Sequence, residues 1–374
     1  MIKRIRTRDE RVQFESFVAA ILSGHSTDEI TANLKNLSVP VPYRLRMKVL
    51  YSRLDAFEIL TKLGDSRIRQ AGPRTRGFSF TWRLGRRERG SGAVNFTLLP
   101  TKQEKVQVLV TVSTYDQWLP LLRFLRSQYP LLVPIFLSQQ ELMESALALP
   151  VHTPQFAVRV REITARESLG VPSRKQLKSV REWTDEELRT ALAIITDRRQ
   201  IIGSLTLAFY RQVGENIDVT PAALCKLAKS GQIEVTGNFG LAWSTIVEYV
   251  ARVGNQKLQF YSRRGLRERK YEPAPLQISF KSPVLADLQE VRRLVATLSK
   301  YPNAMHSVQH GNPYAHLRIS DVYDGSSFDI WAVRDNAIAV IPGLKATEAA
   351  IERLIHYIFD SFREGEVREL GRHQ

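Results

Sequence analysis

The strongest constraint on the fold is an alternating stretch between Arg74 and Tyr129. Phe78, Phe80, Trp82 and Leu84 alternate with Ser79, Thr81 and Arg83, the period-two pattern of a half-buried strand. The run 85–92 (GRRERGSG) is polar and punctuated by glycine, and Val94, Phe96 and Leu98 resume the alternation. This pattern predicts a hairpin with a cationic tip carrying Arg86, Arg87 and Arg89. Val106, Val108, Val110 and Val112 predict a third strand. Trp118, Leu121, Leu122, Leu125 and Tyr129 then recur at helical spacing, with Pro120 expected in the helix's first turn, where a missing N–H costs nothing. The unit reads as βββα.

Variants of this order recur downstream. Leu317 and Ile319 alternate with polar residues, Asp324-Gly325 and Asp335-Asn336 mark turns, and 328–333 and 337–341 are predicted strands. Thr347 is the expected N-cap of a helix whose Ile351, Leu354, Ile355, Ile358, Phe359 and Phe362 form one apolar stripe. A weaker copy lies between: Leu258 to Tyr261 as a strand, a basic turn with Arg263, Arg264, Arg267 and Arg269, then Leu276, Ile278 and Phe280, and a helix through Leu285 to Leu298.

Charge narrows the functional classes. The 374 residues carry 54 Lys+Arg against 38 Asp+Glu, a net +16, while the hydrophobic fraction of 43% is that of an ordinary globular chain. Such an excess predicts attraction to polyanions, nucleic acid first. It is uneven: residues 1–90 hold 19 Lys/Arg and nine Asp/Glu. A single cysteine, Cys225, rules out an internal disulfide and a cysteine-rich zinc site; its surroundings predict a packed helical residue. The charged N-terminus predicts no secretory leader, and no apolar run is long enough to predict a membrane span. The expectation is a cytoplasmic protein without a cofactor.

Residues 9–23 have helical periodicity ended by Gly24, and 26–29 (STDE) form a capping-box pattern opening a second helix. A third helix is predicted through Leu45, Val49, Leu50, Leu54, Phe57 and Leu60. Within residues 17–54, the run 22–30 (LSGHSTDEI) with Leu34, Ser38 and Val41 resembles the helix-turn-helix of response regulators and sigma factors. That resemblance implies that the helix after the turn reads a DNA major groove through residues among Tyr43, Arg44, Arg46, Lys48 and Tyr51. The turn has one residue too many, Thr31 replaces a small alanine, and Pro40 and Pro42 precede the implied reading helix.

The remaining organisation is a linker over 151–183, with a possible strand at Phe156, Val158 and Val160, and a helical middle. The middle is predicted from the capping box at 184–187, the apolar run from Ile201 to Tyr210, the segment around Cys225, and Trp243 to Val250. The fold class is α+β, in the order helical basic region (1–66), βββα domain (67–150), linker (151–183), and helical plus α/β C-terminal domain (184–374). His306, His310 and His316, followed by Asp321, Asp324 and Asp329, are the one cluster of chemistry-bearing types. Gly311-Asn312-Pro313 breaks any helix there, so a polar loop without a metal is expected. Phosphate-loop, dinucleotide and hydrolase-elbow patterns are absent. The leading expectation is a nucleic-acid-binding protein, DNA before RNA, acting as a regulator or with protein partners in a processing or defence assembly. The alternatives are an enzyme acting on nucleic acid or nucleotide near His306 to Asp329, and an interaction scaffold.

Overall fold

The computed structural model describes residues 4–83, 91–152, 155–167, 176–183, 190, 200–214, 216–262, 274–311 and 314–370. It is an α+β protein in two units, one built from the described residues of 4–166 and 176–255 and the other from those of 256–370.

The first unit opens with α1 (Arg8–Leu22) and α2 (Thr27–Lys35). Both are capped at their N-termini, α2 at the Ser26 that the sequence predicts. Thr7 and Glu10 form a reciprocal capping box on α1, and Ser26 accepts the Glu29 N–H at 3.1 Å on α2. The chain then departs from expectation. In place of a third helix it forms β1 (Ser38–Val39), β2 (Arg44–Tyr51) and the short α3 (Ala56–Lys62). The reason is in β2 itself: Leu45, Met47 and Val49 alternate strictly with Arg44, Arg46 and Lys48, and that period belongs to a strand.

Around β2 runs a long antiparallel sheet. Its other strands are β3 (Ile68–Gln70), β4 (Gly77–Arg83), β5 (Ser91–Pro100), β6 (Val106–Ser113), β7 (Val133–Pro134), β8 (Phe156–Glu167), β9 (Gln176–Trp183), β10 (Gln200–Val213), β11 (Asn216–Ile217), β12 (Ala223–Ala228) and β13 (Gln232–Asn238). The spatial order is β3-β4-β5-β6-β2-β13-β12-β10-β8-β9, which makes β2 an interior strand. The predicted hairpin is present as β4 paired with β5, and β6 is the third strand. After it α4 (Tyr115–Arg126) lays Trp118, Leu121, Phe124 and Leu125 on a core with Phe78, Phe80 and Phe96. Pro120 falls in the second turn of α4, not the first, so the helix forgoes the bond its N–H would give. Next comes α5 (Gln139–His152).

The middle is not the helical region expected. Ile201 to Tyr210 and the segment of Cys225 are strands β10 and β12, and residues 156–167 and 176–183 supply β8 and β9 to the same sheet. Residues 223–228 alternate buried and half-buried, as a strand does. The capping box 184–187 lies outside the described residues. Helix does follow, as α6 (Phe239–Ala242), a π-helical turn (Trp243–Val247) and α7 (Glu248–Ser262). Leu258 to Tyr261 are therefore the end of α7 and not a strand.

The second unit follows the predicted C-terminal order. It contains β14 (Leu276–Ser279), α8 (Leu288–Leu298), β15 (Ala304–His310), β16 (Ala315–Asp321), β17 (Ser327–Arg334), β18 (Ala337–Pro342), α9 (Glu348–Ser361) and β19 (Glu366–Glu369). They form an antiparallel sheet in the order β15-β16-β17-β18-β14-β19. Leu317, Ile319, Phe328, Ile330, Ile338 and Val340 turn inward, and the stripes Leu294 and Leu298 of α8 and Ile351, Leu354, Ile355 and Ile358 of α9 are buried with them. Thr347 caps α9, accepting the Ala350 N–H at 3.2 Å. The Asp324-Gly325 turn is real, with Gly325 at φ 74°, a conformation that favours glycine. His306 and His310 belong to the edge strand β15, where a loop was expected.

Candidate nucleic-acid interface

Of the cations expected to meet nucleic acid, Arg44, Arg46 and Lys48 sit on β2. Strand alternation puts all three on one face, beside Thr111 and Ser113 of β6 and opposite Glu234 and Gln232 of β13. Arg46 is ion-paired with Glu234, their side chains 5% and 19% exposed, and burial lowers its pKa against the pull of that carboxylate. Lys48 is buried and donates through Nζ to the Ser230 carbonyl. Only Arg44, at the end of the strand, is partly exposed, and it donates to the Tyr43 carbonyl at 3.2 Å. The expected outward face of a reading helix is thus a polar row inside a sheet. Thr206, Lys226, Glu234, Arg46 and Thr111 lie in register across five strands, because a charged group in a sheet interior must find a cross-strand partner. Cys225 is fully buried on β12, and burial, with Glu234 adding, pushes its thiol pKa up; it is a packed residue. The tips with Arg86, Arg87, Arg89, Arg263, Arg264, Arg267 and Arg269 lie outside the described residues, although Arg83 and Ser91, which flank the first tip, are paired.

The second unit's sheet carries another group of polar and aromatic side chains on its outward face. Ala315, Leu317 and Ile319 of β16 and Phe328, Ile330 and Ala332 of β17 turn inward, so the intervening His316, Arg318, Ser320, Ser327, Asp329 and Trp331 share the outward face. His316 and Trp331 are register partners, and their rings stack with centroids 3.7 Å apart and planes 13° from parallel. The His316 Nε2 lies 3.2 Å from Asp329 Oδ1, which fixes the imidazole plane from the neighbouring strand. The residue directly across from Asp329 is Arg318. The carboxylate turns diagonally to His316, and the exposed Arg318 has no ion pair among the described residues. On the far side of Trp331 the register partner is Ala339, a small, half-buried residue. The result is an aromatic plate beside an exposed guanidinium.

The other members of the His/Asp cluster do not join it. His306 is in register with inward-facing Ile319, whereas His310 is in register with His316, so the first histidine lies on the opposite face from the other two. Asp321 accepts the Tyr323 N–H at 2.8 Å and pairs with Arg353 at 2.8 Å. Asp324 accepts from the Ser326 N–H at 2.9 Å and from Thr347 Oγ1 at 2.6 Å. These two carboxylates build a turn and a helix cap. Among the described residues no three His, Cys, Asp or Glu side chains converge on a metal-sized site.

Sequence reading found His316 and Asp329 but placed them in a metal question, and it did not single out Trp331 or Arg318. The signal was there in the alternation of both strands; the register that stacks the two rings was not. No known protein family matches the chain, and no similar curated protein was found. Among the described residues no helix is long and apolar enough to cross a membrane.

Proposed function

We propose that the protein binds nucleic acid and that the outward face of the second sheet contacts unpaired bases. The observation that supports this most is the His316–Trp331 stack beside the exposed Arg318, on a chain of net charge +16. A base that leaves its own stack regains a π-face on such a plate, at about 1–3 kcal/mol per base, and an arginine alongside donates bidentate bonds to the adjoining phosphate. A duplex keeps its base faces covered, so the reading favours single strands. The DNA-reading helix implied by the helix-turn-helix resemblance falls on a segment that is strand β2. The arginine-rich tips remain part of the proposal as phosphate contacts.

The test is anisotropy of a labelled single-stranded oligonucleotide against the duplex of the same sequence. Trp331→Leu should weaken single-strand binding roughly five- to a hundredfold and leave duplex binding nearly unchanged. Arg318→Ala should reduce the salt dependence on single strands by about 0.7 in log–log slope. Equal losses on both substrates, or none on either, would count against this face.

A further inference from the structure

Among the described residues, strand β15 (Ala304–His310) ends the second sheet with one neighbour, β16, and an edge that no other strand covers. Every residue from Met305 to His310 is exposed. Sheet edges in monomeric proteins are ordinarily guarded by lysine, inward charges, proline or brevity, because their open N–H and C=O groups template another strand. This edge is seven residues long and contains no Lys, Arg, Asp, Glu or Pro; its only interruption is a register shift between Val308 and His310. Around it the apolar surface is concentrated. Met305 and Val308 on β15, with Tyr314, Val322 and Tyr323 at the two ends of β16, are five of the fifteen large apolar side chains exposed among the described residues, far more than a tenth of the chain would carry by chance.

We infer that β15 is a self-association edge, pairing antiparallel with β15 of a second copy. Backbone groups at a free edge are satisfied by a strand and by nothing else so well, which fixes the geometry of the occupant. Charge selects its identity. Two chains of +16 repel one another over most of their surface, and an acidic partner would need cations that this strand lacks. An edge without Lys, Arg, Asp or Glu meets its own copy without setting such charges against each other, and a two-fold axis makes the contact self-complementary. Antiparallel pairing about an axis perpendicular to the sheet leaves both outward faces on the same side. Trp331 lies two strands in from the edge, so five strand spacings would separate the two Trp331 plates by about 24 Å.

The proposal is read without nucleic acid and so stands or falls apart from the proposed function. Full-length protein, nuclease-treated and held at high salt to screen repulsion, is followed by sedimentation equilibrium over a wide concentration range. The expected result is a reversible rise in mass toward twice that of the chain. Val308→Lys, at a residue 46% exposed, should weaken association at least tenfold by setting like charges against each other, and Val308→Thr should preserve it. Circular dichroism checks that both variants fold. A chain that stays monomeric throughout, or a dimer that Val308→Lys does not weaken, would overturn the inference.

Discussion

Arg353→Ala should destabilise the second unit by about 3–5 kcal/mol, the loss expected when one partner of a buried ion pair is removed. The Arg353 guanidinium lies 2.8 Å from the Asp321 carboxylate, whose side chain is 0% exposed. It also donates to the Tyr301 hydroxyl at 2.7 Å and the Pro302 carbonyl at 3.0 Å, and lies 4.8 Å from the centroids of both Tyr301 and Tyr323. Truncation leaves a carboxylate buried against a packed wall. Burial already raises the Asp321 pKa, with Arg353 opposing. In the variant the opposition is gone and the folded state holds that proton more tightly than the unfolded chain. Its deficit should therefore be largest at neutral pH and shrink as pH falls. Native-state hydrogen exchange of β16 to β18 measures it; a deficit under 1 kcal/mol, or one that grows in acid, would mean Asp321 is solvated.

Lys48→Met should stabilise the first unit at pH 7 and abolish a pH dependence. Burial, with the charge of Arg126 adding, pushes the Lys48 ammonium down to about 7, against about 10.4 in an unfolded chain. Between those values the unfolded chain binds the proton and the folded protein does not. Wild-type stability should thus climb on the order of 4 kcal/mol from pH 7 to pH 10, and stay low below pH 7. Methionine has no such proton to lose, so the variant's curve should lie above wild type at neutral pH and meet it in alkali. Urea midpoints across this range decide the matter, and parallel curves would contradict it. Nucleic-acid affinity should be unchanged, since the Lys48 amine faces the Ser230 carbonyl inside the sheet.

The sequence was readable where one local signal had no rival. The β4–β5 hairpin followed from Phe78, Phe80 and Trp82, α9 from Thr347 and its stripe, α1 from its apolar period, and α2 from Ser26 and Glu29. It misled where two periods fitted one stretch. Leu45, Val49 and Leu50 satisfy a helical spacing, yet Arg44, Arg46 and Lys48 satisfy the strand alternation that β6 and β13 enforce from either side. Ile201 to Tyr210 is apolar nearly throughout, and a strand buried on both faces has no period to distinguish it from a buried helix. The stack of His316 on Trp331 was beyond reach for another reason. It depends on the β16–β17 register, which the turn at Asp324-Gly325 sets and no single strand reveals.

Contact between the excess charge and phosphates, as proposed, requires an affinity that falls steeply with salt, which a titration reads. Binding of wild type to one single-stranded oligonucleotide is measured from low to high salt, alongside Arg318→Ala and a variant with Arg86, Arg87 and Arg89 all changed to Ala. Each phosphate contact contributes about 0.7 to the slope of log K against log salt on single strands. The predicted result is a steep fall of affinity for wild type, with the slope reduced by about 0.7 in Arg318→Ala and by up to about 2 in the triple variant. No measurable binding at low salt, or an affinity indifferent to salt in all three proteins, would contradict it.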